Sequence, residues 1–252
     1  MSCMLVYGRT TYQLSKTLKL TTAQGWAQQE KKTMNRNSYN ALTEIPKWVD
    51  SLIYAAEAAG TFTRGIETDR KGRGEAVNVD LFGYDEAQGL IVIQVRQATL
   101  HPRKYTRVRK DYYLIGRTEQ GSIFAHPVES PARSKRAMES PESTVRYVLA
   151  KVWDCKESSL EEIERQGDVA FIPVYRIPKT AEKIDGHVTI RDTHQLKGDI
   201  WRDIDGTIYT RRGARLMHSK RQHAPIKAKA GAYRVQPGIR ATTWGFTAPC
   251  GD

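Results

Sequence analysis

Four of the six histidines, His187, His194, His218 and His223, fall in the second half of the chain, the last two inside Met217-His218-Ser219-Lys220-Arg221-Gln222-His223-Ala224-Pro225-Ile226. Neutral imidazoles on neighbouring strands can hold zinc, iron or another transition metal, so these four are the candidate metal ligands, with a divalent ion as the implied cofactor. Their spacing does not follow the same-face period of a single strand. Histidines in a basic region also serve as surface or phosphate-contacting groups. A second chemistry is phosphate neutralisation. From Ala87 to Lys110 there is no acid, yet Arg96, Arg103, Lys104, Arg107, Arg109 and Lys110 are present, with Tyr105, Tyr112 and Tyr113 among or beside them. Cations that neutralise phosphates next to rings that stack on bases are what a single-stranded nucleic acid requires. A solvated loop with core tyrosines is the plainer reading. From Thr207 to Gly251 acids are again missing, and Arg211, Arg212, Lys220 and Arg221 are the candidate phosphate contacts there.

The charge of the whole chain agrees with that chemistry: 40 Lys and Arg against 28 Asp and Glu give +12. Such a field attracts polyanions, nucleic acid first; an acidic protein could use the same cations. A membrane is not expected, because no apolar stretch approaches the roughly 18 residues that a span needs. Cys3, Cys155 and Cys250 lie far apart with no CxxC pair, which excludes a disulfide framework or zinc knuckle and suits a reducing, cytoplasmic setting. Cys155 reads as a packed thiol.

The elements that must position these groups follow from periodicity. Residues 1–40 are polar and weakly periodic, and read as a tail or extension. Trp48, Val49, Leu52, Ile53 and Ala56 recur at helical spacing between Pro46 and Gly60. Val77 to Tyr84 and Leu90 to Gln97 read as a β-hairpin, and a basic connection from His101 to Lys110 leads to strands Tyr112 to Gly116 and Ser122 to Ala125. Glu129 to Pro141 reads as an exposed loop. Ser143 is expected to cap a helix that ends near Trp153, and Asp168 to Tyr175 to form a buried strand. Glycine-cut short strands follow. The fold class is therefore α+β: a helix-backed antiparallel meander (41–128), a loop and helical connection (129–165), and a β-rich, barrel- or sandwich-like basic half (166–252).

Two resemblances add expectations. Asn78-Val79-Asp80, followed across the hairpin by Ile93-Gln94-Val95-Arg96 and preceded by a helix carrying Glu57, resembles the PD-(D/E)xK nuclease core. The resemblance implies metal-dependent phosphodiester cleavage, with Glu57, Asp80 and Gln94 converging on a divalent ion that activates water. Arg96 stands where the family has lysine, and a guanidinium cannot take over a lysine's proton chemistry. Gln166-Gly167-Asp168-Val169, the His218 to Ile226 segment and Gly231-Ala232-Tyr233-Arg234-Val235 resemble an uncharacterised bacterial and phage family that pairs a QGDV strand with a HAPI segment and a GxYRV strand. That resemblance implies a fold and not an activity. Lys183-Ile184-Asp185-Gly186 copies the ligase KxDG motif without its partner motifs. The leading expectation is a nucleic-acid-associated protein of a bacterium or mobile element. The alternatives are a metal-dependent nuclease with a degenerate site and an assembly protein that binds an acidic partner.

Overall fold

Val49, Leu52, Ile53 and Ala56 form the buried face of helix α1 (Lys47–Ala58). The computed structural model describes residues 45–101, 107–118, 121–221 and 223–240; the expected extension over 1–40 lies outside them. Gly60, at φ 80°, ends the helix, because only a residue free of a Cβ adopts that left-handed turn cheaply. Thr61 N–H then donates to Ala56 O at 3.0 Å and Gly60 N–H to Glu57 O at 2.9 Å, which satisfies carbonyls the helix leaves open.

The hairpin expected from the sequence is longer than its apolar runs. Strands β1 (Gly65–Thr68), β2 (Gly74–Asp85), β3 (Leu90–Leu100), β4 (Arg107–Arg117) and β5 (Ile123–Val128) make one antiparallel sheet in chain order. The basic connection ends earlier than expected, because Arg107 to Lys110 pair with β3 as strand. Alternation sends Ile91, Ile93 and Val95 of β3, with Tyr113 and Ile115 of β4, to one face, where they pack on α1. Leu90 and Val92, with Tyr112 and Leu114, go to the other face. That second face is covered by helix α2 (Pro141–Val152) through Val145, Val148 and Val152. Ser140, not Ser143, is the cap: its side chain accepts from Ser143 N–H at 3.0 Å, and Pro141 occupies the first turn, where no N–H is needed. At the β2 bulge, Gly83 lets α2 approach. A Cβ there would lie 2.5 Å from both Pro141 O and Thr144 Cβ.

The segment expected to be an exposed loop is instead folded into 3-10 turns at Pro131–Arg133 and Arg136–Met138, with Pro131 and Ala137 buried. A further 3-10 segment, Glu157–Glu162, leads into the second half. There β6 (Glu164–Gln166), β7 (Val169–Val174), β8 (Glu182–Ile184), β11 (Ile200–Arg202), β12 (Ile208–Arg211) and β15 (Ala232–Pro237) build a six-stranded sheet in the order β6-β7-β15-β12-β11-β8. Strands β9 (His187–Ile190), β10 (His194–Lys197), β13 (Arg215–His218) and β14 (Ile226–Lys227) build a four-stranded sheet in the order β14-β13-β10-β9. Phe171, Ile200, Tyr233 and Val235 of the first and Val188, Leu196 and Leu216 of the second share one core. The two sheets are open at their edges and pack as layers, so this half is sandwich-like and not a closed barrel. The class is α+β, and no helix of the described residues is long and apolar enough to cross a membrane.

Candidate functional site

The outer face of the four-stranded sheet carries a row of basic side chains that crosses its strands. Register places Lys227 of β14 opposite Arg215 of β13, Arg215 opposite Lys197 of β10, and Lys197 opposite His187 of β9. Their neighbours along each strand, Leu216, Leu196 and Val188, point the other way into the core, so all four polar side chains share the solvent face and are exposed. With strands about 4.8 Å apart, the row spans about 14 Å. Like charges directly opposite one another destabilise a sheet. Even so, no carboxylate among the described residues pairs with Lys197, Arg215 or Lys227. Lys220 and Arg221 are exposed in the turn after β13, at the end of that strand opposite Arg215.

The other expected phosphate contacts fare differently. Arg103, Lys104 and Tyr105 lie outside the described residues, and Arg107 is placed only as backbone of β4. Arg109 is held 2.9 Å from Asp111, whose carboxyl is pushed up by burial, with Arg109 opposing that rise. Lys110 is exposed on β4. Tyr112 and Tyr113 are not stacking platforms: Tyr113 is fully buried against α1 and Tyr112 packs edge-on against Phe82. Alternation along β4 turns one tyrosine into each core. Arg211 lays its guanidinium over the Trp201 ring at 4.7 Å, while Arg212 is exposed in the turn beyond. In the second acid-free stretch, Arg234 and Lys229 are matched with Asp154 and Glu164 from elsewhere in the fold.

The nuclease constellation does not assemble. Asp80 and Gln94 are cross-strand partners on the face of the sheet that α2 covers, whereas α1, which carries Glu57, packs on the opposite face. Each group is also engaged. Glu57 accepts from Arg64 at 2.6–2.8 Å, which holds its carboxyl below the usual range, and Arg96 lies 2.5 Å from Asp80. Gln94 Nε2 donates to Tyr112 Oη. Helical periodicity identifies the apolar stripe of α1 but not the side of the sheet that receives it.

Three of the four histidines do meet. His194 and His218 are cross-strand partners on the inner face of the four-stranded sheet, with ring centroids 4.8 Å apart, and His223 stands 5.4 Å from His218; each pair meets edge to face. All three are buried. His187 does not join them, because it lies on the outer face at the end of the cationic row. The β6–β7 turn closes the cluster. Gln166 Nε2 donates to Ala224 O at 2.6 Å, and Asp168 Oδ1 lies 3.8 Å from His194 Nδ1. A Cβ on Gly167 would stand 2.8 Å from His223 Nε2, so a glycine with φ 56° makes room for that ring. The Gln-Gly-Asp turn and the His-Ala-Pro-Ile segment thus meet around buried imidazoles. Burial holds the pKa of His194 below its usual value; Asp168 opposes this, and the neighbouring His218 and His223 add to it. Among the described residues no set of three or more His, Cys, Asp or Glu has its donors gathered as a metal ion requires, so the expected four-histidine metal site does not form in this geometry.

No local signal in the sequence groups Lys197, Arg215 and Lys227. They belong to three strands, and only the register brings them into line. Compared with known proteins, the chain matches no family model, no curated protein and no solved structure.

Proposed function

We propose that this protein binds nucleic acid through the outer face of its four-stranded sheet. The observation that carries the reading is the cross-strand row Lys227, Arg215, Lys197 and His187. Three lysine and arginine side chains held opposite one another lower the stability of the sheet. A polyanion laid across the row relieves that repulsion, because each phosphate it brings is matched by a fixed cation and releases condensed counterions. Gln195 and Thr189, the next positions on the same face, offer polar contacts to sugar or base, and Lys220 and Arg221 stand exposed beyond the opposite end of β13. The net charge of +12 adds long-range attraction to the local pattern.

Fluorescence anisotropy with labelled single- and double-stranded oligonucleotides across a salt series tests this reading. Binding is expected to weaken steeply with salt. Replacing Lys197, Arg215 and Lys227 by Gln together should flatten the slope of log K against log salt by about 2, at about 0.7 per phosphate of a single strand. A slope the triple variant shares with the parent chain removes this surface as the site. Tight binding of an acidic protein, with no binding to either oligonucleotide, replaces the reading with that of an acidic partner.

A further inference from the structure

Away from the cationic row, a cavity of about 650 Å³ opens between the end of the first sheet, α2 and the β6–β7 turn. Its volume lies within the range of small-molecule sites. Leu114, Phe124, Leu149, Trp153, Leu160 and Ile163 give it an apolar body. The guanidinium groups of Arg117, Arg146 and Arg240 line it together with two carboxylates, Glu161 and Asp168. Both carboxylates are already engaged. Arg146 lies 3.3 Å from Glu161, and Asp168 has Arg191 and Arg240 at 3.4 Å each. Arg117, by contrast, donates to the carbonyl of Gly121 at 3.0 Å, a neutral acceptor, and pairs with no carboxylate among the described residues. Gly167 and His223 close one end of the cavity, so it reaches the buried histidine cluster.

The geometry points to a binding site for a small amphipathic anion, with an aromatic or aliphatic body on the Phe124, Leu149 and Trp153 wall and a carboxylate, sulfonate or phosphate head drawn by Arg117 and by Arg240, which shares the single carboxylate of Asp168 with Arg191. An uncharged molecule of the same shape would gain the apolar contact but not the charge-assisted hydrogen bonds that a guanidinium makes to an oxyanion. This site is independent of the nucleic-acid reading, since none of the row residues lines the cavity.

The test uses the full chain and two matched probes: 8-anilinonaphthalene-1-sulfonate and its uncharged counterpart N-phenyl-1-naphthylamine. The sulfonate probe should bind at least tenfold more tightly than the neutral one, with energy transfer from Trp153 that is lost in Trp153→Phe. Arg117→Gln, at an exposed rim position, should weaken the sulfonate probe severalfold and leave the neutral probe unchanged. Leu149→Phe combined with Leu160→Phe, which takes up cavity space, should weaken both. The Lys197, Arg215 and Lys227 triple variant should bind both probes as the parent chain does, which separates this site from the nucleic-acid surface. Equal affinity for the two probes, no effect of Arg117→Gln, or loss of the sulfonate probe in the triple variant would each overturn the proposal.

Discussion

Arg215 stands at the centre of the cationic row with a lysine opposite it on either side, Lys197 and Lys227, so its replacement should change stability and binding in opposite directions. Two unit charges about 7 Å apart in water repel by about 0.6 kcal/mol, and Arg215→Gln removes two such pairs, so at low salt the fold should gain about 1 kcal/mol. Screening over a Debye length of about 8 Å at physiological ionic strength should reduce the gain to about half of that. For a chain of this size, about 1 kcal/mol corresponds to a rise in Tm of about 2–4 °C. Binding should move the other way: with one phosphate fewer neutralised, the salt slope for a single strand becomes less negative by about 0.7. Urea denaturation at low and physiological salt gives the first quantity, and oligonucleotide anisotropy over the same salts gives the second. A variant that is no more stable at low salt would show that the row does not repel. A variant that is more stable but binds with an unchanged slope would show that the repulsion serves no phosphate.

Acidification should destabilise the fold. His194 and His126 both have pKa values held below 6.5 chiefly by burial. The unfolded chain therefore takes up protons that the folded chain refuses. Stability is complete above about pH 6.5 and falls as the pH drops toward the folded values, by up to about 1.4 kcal/mol per pH unit for each histidine. Urea midpoints at pH 8 and pH 5 check this, and a midpoint that does not fall between them counts against it. Asp80→Ala should cost about 1–3 kcal/mol, because it removes the carboxylate that faces the half-buried Arg96, while oligonucleotide binding should be unaffected. Thermal denaturation checks the loss of stability and anisotropy the unchanged binding; a melting temperature equal to that of the parent chain would count against the structural role. Gly83→Ala should cost about 1–3 kcal/mol, since the added methyl forces α2 away from the β2 bulge. A melting temperature equal to that of the parent chain would show that the helix yields without strain.

How much of the molecule is legible in its sequence depends on which groups have to meet. Helix α1 and the β2–β3 hairpin follow from local periodicity and from the turn around Gly89, and both are found where expected. The start of β4 is hidden because Arg107 and Arg109 read as a solvated loop, and only pairing with Thr99 and Gln97 of β3 makes strand of them. The 3-10 turns of 131–138 are hidden for a related reason: proline, serine and arginine describe a surface loop, and only packing against the rest of the fold buries Pro131 and Ala137. The histidine cluster is half legible. The residue type points the right way, but strand partnership decides that His194 meets His218 while His187 faces solvent. Glu57 fails as a nuclease ligand for the same class of reason, since nothing local to α1 encodes which side of a distant sheet it will cover.

Ala170 and Ile172 of β7 pack in the same interior as Val92 and Leu114 of the first sheet and Val148 of α2. A fragment cut between 129 and 165 would therefore present raw apolar surface on both pieces, and neither should survive alone as a soluble unit. Strand β3, walled in on both sides, should hold the slowest-exchanging amides of the molecule, and its loss should bring down the distant cationic sheet in the same step.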